Sequence, residues 1–385
     1  VNTSINSSNY AALLYADSER EADQLYLGKV QVPDAFISFQ FKGKSYAVVS
    51  VLEYTRVQKE SAFDVVLPME EVLDLAVTKF GLKSPREATV AQQIQVLAEK
   101  YEIPGFAVGY SFPAGVALDL VKAGMDLDVS EGMLFPEREF KTADEQEAIR
   151  LANEACSHAF SAVETVLKES TIVDGVVHYK GEALTSEYLH QVIAIACLEK
   201  GAVASGTIAA GGDQACDPHC VGYGPIPANQ LIIVDIFPRR GKDGYHGDMT
   251  RTYIKGQPNA AQRKLVETVF DAQKMALAAH KPGADGSGVY MMVKNFFTEQ
   301  GYPTENRNGV NVGFFHGLGH GLGLEVHEPP RVNPSDMTMK VGEVITVEPG
   351  LYYPGVGGCR WEDVVVITEE GNKQLSKHGY NWIIE

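Results

Sequence analysis

The stretch Gly313 to Glu328 reads G-F-F-H-G-L-G-H-G-L-G-L-E-V-H-E and carries three of the ten histidines, His316, His320 and His327, among five glycines. Imidazole is the commonest side-chain metal ligand and a ready proton carrier, and glycine lets other groups approach the backbone closely. A helix is a poor reading here, because each interior glycine costs about 1 kcal/mol relative to alanine. Standing alone, such a run reads as a flexible connection with satisfied surface histidines. Its company changes the reading.

Four carboxylates in the same half of the chain sit on or beside strand-like runs. Asp235 ends the apolar run Leu231-Ile232-Ile233-Val234, which reads as a buried strand. Asp248 lies in G-D-M-T-R-T-Y-I, whose Thr250, Thr252, Tyr253 and Ile254 favour a second strand. Glu348 ends V-I-T-V-E-P-G, punctuated by Pro349-Gly350, and Glu362 opens W-E-D-V-V-V-I-T. A carboxylate on an apolar strand is expensive to bury unless a cation or partner neutralises it. One would be an ordinary ion pair or a strand end facing water. Four, beside a Gly/His segment, read as a site.

The order Asp, Asp, His, Glu, Glu resembles the pita-bread metallopeptidases, in particular the aminopeptidase P/prolidase branch. That resemblance implies two divalent metals, held by Asp235, Asp248, His320, Glu348 and Glu362. Asp235 would be bidentate on one metal, Asp248 and Glu362 would bridge, and His320 and Glu348 would complete the other. Such paired metals lie roughly 3.5–4 Å apart in aminopeptidases and clamp the attacking and departing atoms. The oxygen-rich set favours manganese, with cobalt, zinc and iron as alternatives. Glu348 would also act as general base towards water. His219 in D-P-H-C-V-G-Y would contact the substrate and its leaving nitrogen, and His316 would line the pocket. His327 would steady the tetrahedral intermediate, and Arg360 would organise the site or pair with a ligand. For these last four, a satisfied structural side chain is the competing reading.

The rest of the chain fits a two-domain enzyme. At 385 residues it exceeds one ordinary core. Its 45% hydrophobic and 22% charged residues are those of a soluble globular protein. A net charge of −17 without any Lys/Arg-rich run argues against nucleic acid and anionic membranes. The polar opening V-N-T-S-I-N-S-S-N-Y is expected to be disordered; it shows no signal peptide, and the missing initiator Met leaves open a trimmed leader. Five sparse cysteines favour a reduced, cytoplasmic protein.

Residues 1–138 alternate short β-rich and helical runs, a scaffold of α/β type similar to the N-terminal domain of creatinases and prolidases. Ser18 is expected to cap the first helix, and Lys42-Gly43-Lys44 to turn a hairpin. Residues 139–385 then form the catalytic domain, of α+β pita-bread type. A long amphipathic helix starts near Ala143, with others at 185–200, 260–280 and 286–300. Strands at 203–210, 231–237, 245–254, 343–348 and 362–367 make one antiparallel sheet against them.

Two features depart from the family pattern. Asp248 follows Asp235 by thirteen positions, so the hairpin turn is extended, with Arg239, Arg240 and His246 read as solvated turn residues rather than substrate contacts. Cys216 and Cys220 flank His219; they read as incidental thiols, a separate zinc site lacking a fourth ligand of obvious spacing. The function implied by the resemblance is hydrolysis of the Xaa-Pro bond in dipeptides or at the N-terminus of short peptides, by a homodimer. Only fourteen positions separate Glu348 from Glu362, which leans towards dipeptides. The alternatives are an inactive binding protein of the same fold, or a hydrolase of other peptides or non-peptide esters.

Overall fold

A computed structural model describes residues 9–385, and the chain divides into two compact units, one ending at Arg138 and one running from Glu139 to Glu385. The expectation of disorder for the opening residues falls outside the described part, Asn9 and Tyr10 excepted.

The first unit holds six strands, β1 (Ala11–Ala16), β2 (Phe36–Phe41), β3 (Lys44–Val49), β4 (Val65–Pro68), β5 (Gly105–Val108) and β6 (Asp126–Val129). They form one mixed sheet in the order β4-β3-β2-β1-β5-β6. Helices α1 (Ala22–Gly28), α2 (Val51–Glu60), α3 (Met69–Phe80), α4 (Val90–Tyr101) and α5 (Ala114–Lys122) alternate with them. Lys42 and Gly43 join β2 to β3 with φ of 49° and 74°. Left-handed backbone at both positions matches the twist of the flanking strands. Ser18 does not cap α1, which starts after Glu21 without a side-chain cap. Instead the buried Ser18 hydroxyl donates to the Val30 carbonyl and accepts the Val32 N–H, each at 2.7 Å, fastening the following loop.

The second unit opens with α6 (Ala143–Glu169), started by a reciprocal cap between Thr142 and Glu145. Helices α7 (Ser186–Glu199), α8 (Ala260–Ala279) and α9 (Gly286–Glu299) follow. The principal strands are β7 (Ile208–Gly211), β8 (Leu231–Ile236), β9 (Met249–Lys255), β10 (Gly319–Gly321), β11 (Glu328–Val332), β12 (Val344–Val347), β13 (Gly350–Tyr353), β14 (Gly357–Arg360), β15 (Asp363–Thr368), β16 (Gly371–Gln374) and β17 (Ile383–Ile384). They divide between two sheets rather than one, β7-β8-β9-β17 and β11-β10-β12-β15-β16, with β13 and β14 as a separate ribbon. The run expected at 203–210 also breaks, into Ala202–Val203 and Ile208–Gly211.

Every residue of β8 and β9 is buried; β8 reads accordingly as a nearly continuous apolar run, whereas β9 carries Thr250, Arg251, Thr252 and Lys255 into the interior. Phe160, Val163, Leu189 and Ile193 of α6 and α7 share a core with Ile232, Val234 and Tyr253. Val269, Val293 and Phe297 of α8 and α9 share another with Ile345, Val347 and Val365. The acids of interest therefore project from strand ends backed by packed helices. No helix among the described residues is long and apolar enough to cross a membrane.

Candidate metal centre

Each expected ligand lies on a strand or directly beside one. Asp235 is on β8, and Asp248 immediately precedes β9, to which β8 is antiparallel with Asp235 opposite Thr250. His320 is the middle residue of β10, Glu348 directly follows β12, and Glu362 sits between β14 and β15. All five line one cavity of about 740 Å³ together with His219, His316, His327 and Arg360.

Ligand atoms of Asp248, His320 and Glu362 lie within 4.8 Å of one another, the only such group among the described residues. His320 Nε2 is 3.3 Å from Glu348 Oε1 and 3.7 Å from Asp248 Oδ2. Its Nδ1 faces the Gly321 carbonyl at 3.2 Å and so carries the proton, leaving the Nε2 lone pair turned to the carboxylates. Burial pushes the His320 pKa down to about 3, so the ring is neutral. Thr346 holds two members together: its hydroxyl accepts the His320 N–H at 3.0 Å and donates to Glu348 at 3.3 Å. Likewise Thr250 donates to Glu362 at 2.6 Å, and Asn153 of α6 accepts the Asp248 N–H at 3.2 Å.

The charge balance of the cluster calls for a cation. Burial first, then the neighbouring carboxylates, push Asp248 and Glu362 well above the usual carboxylate range. Burial likewise raises Glu348 to about 7. Asp235 keeps one oxygen, Oδ1, buried without a hydrogen-bond partner among the described residues, while Oδ2 is 2.7 Å from Arg360 Nη2. Acidic oxygens crowded around one neutral imidazole, with one buried oxygen unsatisfied, fit hard divalent cations.

A stability signature follows. In metal-free protein Asp248, Glu348 and Glu362 have folded pKa values above their unfolded ones, so their share of the stability falls as pH rises from the ordinary carboxylate range towards neutrality. Burial holds His246, His280, His316 and His320 neutral, with pKa values lowered to about 3 or 4, and their share rises over the same range. Divalent metal displaces the carboxyl protons, so manganese is expected to raise Tm more at pH 7.5 than at pH 5. Melting curves at pH 5 and 7.5, with and without manganese, test this; parallel curves would contradict it.

The remaining expected residues reach the cavity in different ways. Arg360 donates to Asp235, to Thr250 Oγ1 at 3.2 Å and to the Tyr352 hydroxyl at 2.9 Å. Tyr352 in turn lies 2.9 Å from His316 Nε2, while His316 Nδ1 faces the Gly317 carbonyl at 2.7 Å. His316 thus ends a relay that steadies Arg360 as well as lining the cavity. His327 and His219 are exposed at the rim, and the His327 ring stands edge-on to His320 with centroids 4.4 Å apart.

Arg331 and Asn333 also line the cavity, and neither belongs to the expected set of site residues. The signal was available, because β11 alternates buried and exposed residues from Glu328 onward and so sends His327, Pro329 and Arg331 to one face. The long turn between the two aspartates is not solvated as expected. Arg239 and Arg240 pair with Ala202 and Val203, Arg240 donates to the Ala148 carbonyl at 3.2 Å, and Tyr245 donates to Glu145 at 2.7 Å. His246 is half-buried, burial lowers its pKa to about 4, and it does not line the cavity. The extra residues dock the turn on the start of α6. Cys216 and Cys220 are free thiols.

Known proteins resemble this chain in sequence and in fold. The sequence pattern of metallopeptidase family M24 matches residues 147–369. The chain is 36% identical to an Xaa-Pro dipeptidase of Pyrococcus furiosus over 252 residues, 62% of this chain and 67% of that protein. It is 35% identical to the Xaa-Pro dipeptidase of Pyrococcus horikoshii over 242 residues, 62% of this chain and 64% of that one. These alignments span about two thirds of the relatives' length. The crystal structure of the prolidase from Pyrococcus horikoshii OT3 superposes with a TM-score of 0.77 at 26% identity, covering 98% of this chain and 96% of that one. The matched region contains every carboxylate and imidazole of the cluster, and the solved fold extends through both units: the chain belongs to metallopeptidase family M24.

Proposed function

We propose that the protein hydrolyses the Xaa-Pro bond of dipeptides with two divalent ions, manganese preferred, held by Asp235, Asp248, His320, Glu348 and Glu362. When bound, such a pair polarises the scissile carbonyl and makes hydroxide available near neutral pH. The chain's residues supply the rest. Glu348, half-buried at the cavity and directed by the Thr346 hydroxyl, is the proton acceptor. Arg360 and Thr250 hold the acids in place, and His327 and His219 stand at the rim where the intermediate and leaving nitrogen pass.

The observation that carries the dipeptide reading is Arg331. Its exposed guanidinium lines the cavity and has no ion-pair partner among the described residues. In a site otherwise rich in acids, a free cation on the face shared with His327 suits the terminal carboxylate of a dipeptide, which a longer peptide would not present there. The Pyrococcus relatives are themselves named Xaa-Pro dipeptidases. A homodimer in the cytoplasm belongs to the same reading.

The test is proline release by manganese-loaded protein from Ala-Pro, with Ala-Pro-Ala and a proline-free dipeptide as controls. Cleavage of Ala-Pro alone is expected; cleavage of the tripeptide after alanine would indicate an aminopeptidase P. Replacing Arg331 by alanine should raise KM for Ala-Pro about tenfold or more, with a smaller change in kcat. An unchanged KM would remove Arg331 from substrate binding.

A further inference from the structure

We propose that the buried ion pair between Lys141 and Glu328 aims His327 into the cavity, making Lys141 a positioning residue of the hydrolytic site. The inference rests on the reading of His327 given above.

His327 cannot orient itself. Its imidazole makes no hydrogen bond or ion pair among the described residues, and its only ring contact is the edge-on one with His320. It ends an irregular segment, 322–327, and β11 begins at the next residue. An unpartnered side chain is directed by its backbone, and here the backbone is fixed one residue further on. Glu328 is 2% exposed and its Oε1 lies 2.6 Å from Lys141 Nζ. Because side chains alternate along β11, an inward anchor at Glu328 turns both His327 and Arg331 outward to the cavity.

The surroundings are built to admit this pair. A Cβ on Gly323 would fall 2.2 Å from Glu328 Oε1 and 3.1 Å from Lys141 Cε, so the glycine leaves the slot in which the charges meet. Lys141 is itself held, its N–H donating to the Gly342 carbonyl at 2.8 Å. It immediately precedes Thr142, the cap of α6. That helix carries Asn153, which accepts the Asp248 N–H. One helix thereby sets the height of a metal-ligand candidate and, through Lys141, of His327. Burying two charges costs several kcal/mol per ion before their attraction is counted, so a merely apolar anchor would be easier to build.

The experiment compares Lys141→Met, Lys141→Arg, His327→Ala and the double variant Lys141→Met/His327→Ala. Each is measured for kcat and KM on Ala-Pro, bound manganese and Tm. Lys141→Met is expected to lower kcat about 10- to 100-fold with KM and manganese content close to wild type, since a misplacement of about 1 Å at a reacting group has effects of that size. Lys141→Arg should recover most of the loss, and Lys141→Met should add nothing in the His327→Ala background. Should Lys141→Met fail to fold, the neutral pair Lys141→Met/Glu328→Gln replaces it, with the same loss of kcat expected. Wild-type kcat in these variants, or an equal further loss in the His327→Ala background, would overturn the positioning role. Wild-type kcat in His327→Ala would instead overturn the assignment of His327.

Discussion

Replacing Glu348 by glutamine is expected to lower kcat on Ala-Pro about 10²- to 10⁴-fold while leaving the protein folded and able to take up divalent metal. The side chain keeps its shape and loses its capacity to accept a proton. Two observations single out this carboxyl among the acids of the cavity. It is the half-buried one, whereas Asp235, Asp248 and Glu362 are buried. The Thr346 hydroxyl, which also fixes His320, donates to Glu348 Oε1 and sets its direction. The amide can still present an oxygen to a metal, although a weaker donor than a carboxylate. Metal content must therefore be measured on the same sample: lost activity with retained metal supports the base, and lost activity with lost metal reduces Glu348 to a ligand. Wild-type turnover would sink both roles.

Much of this site was readable from the chain because burying a charge is costly. Asp235 at the end of a fully apolar strand, and Glu362 before another, call for a compensating cation on the strength of sequence alone. The Gly/His segment was readable for a related reason. Gly319 and Gly321 flank His320 where a Cβ would lie 1.9 Å from the Thr346 carbonyl and 2.0 Å from the Pro329 carbonyl, so neighbouring strands close tightly on the histidine. Strand partnership was not readable. Periodicity marks β7, β12 and β15 as strands, but nothing local says that they belong to two sheets. Ser18 misled because a hydroxyl before a helical run has two equivalent uses, capping the helix or bracing the loop, and burial selected the second. Arg331 was missed because it lies outside the ligand order, although its alternation with His327 on β11 was present in the sequence.

The largest loss of stability is expected from a residue that touches no substrate. Arg251 is fully buried on β9, and its guanidinium serves five acceptors. It meets Asp363 Oδ1 at 2.9 Å, and the carbonyls of Thr250, Glu362, His378 and Gly379 at 2.9, 2.7, 3.2 and 3.1 Å. The Tyr380 ring lies beneath it at 4.6 Å. Asp363 also accepts from Ser376, Gln273 and Tyr380, so one ion pair gathers β9, β15, α8 and the C-terminal segment. Arg251→Met removes the cation and leaves the fully buried Asp363 charge without it, a change that costs roughly 3–5 kcal/mol in buried pairs. For a unit of this size each kcal/mol lowers Tm by about 2–4 °C, so a fall of roughly 6–20 °C is expected. Arg251→Lys should recover little, because an ammonium has only three donors and no planar fork to span these acceptors. Activity should fall with the same variant, since two of the acceptors are the carbonyls of Thr250 and Glu362, and the Thr250 side chain holds that of Glu362, which lines the cavity. Removing both charges with Arg251→Met/Asp363→Asn separates the causes. If the unpaired carboxylate is the main penalty, the double variant melts above Arg251→Met. If the lost carbonyl contacts dominate, the two melt together and the ion pair is secondary to the clamp.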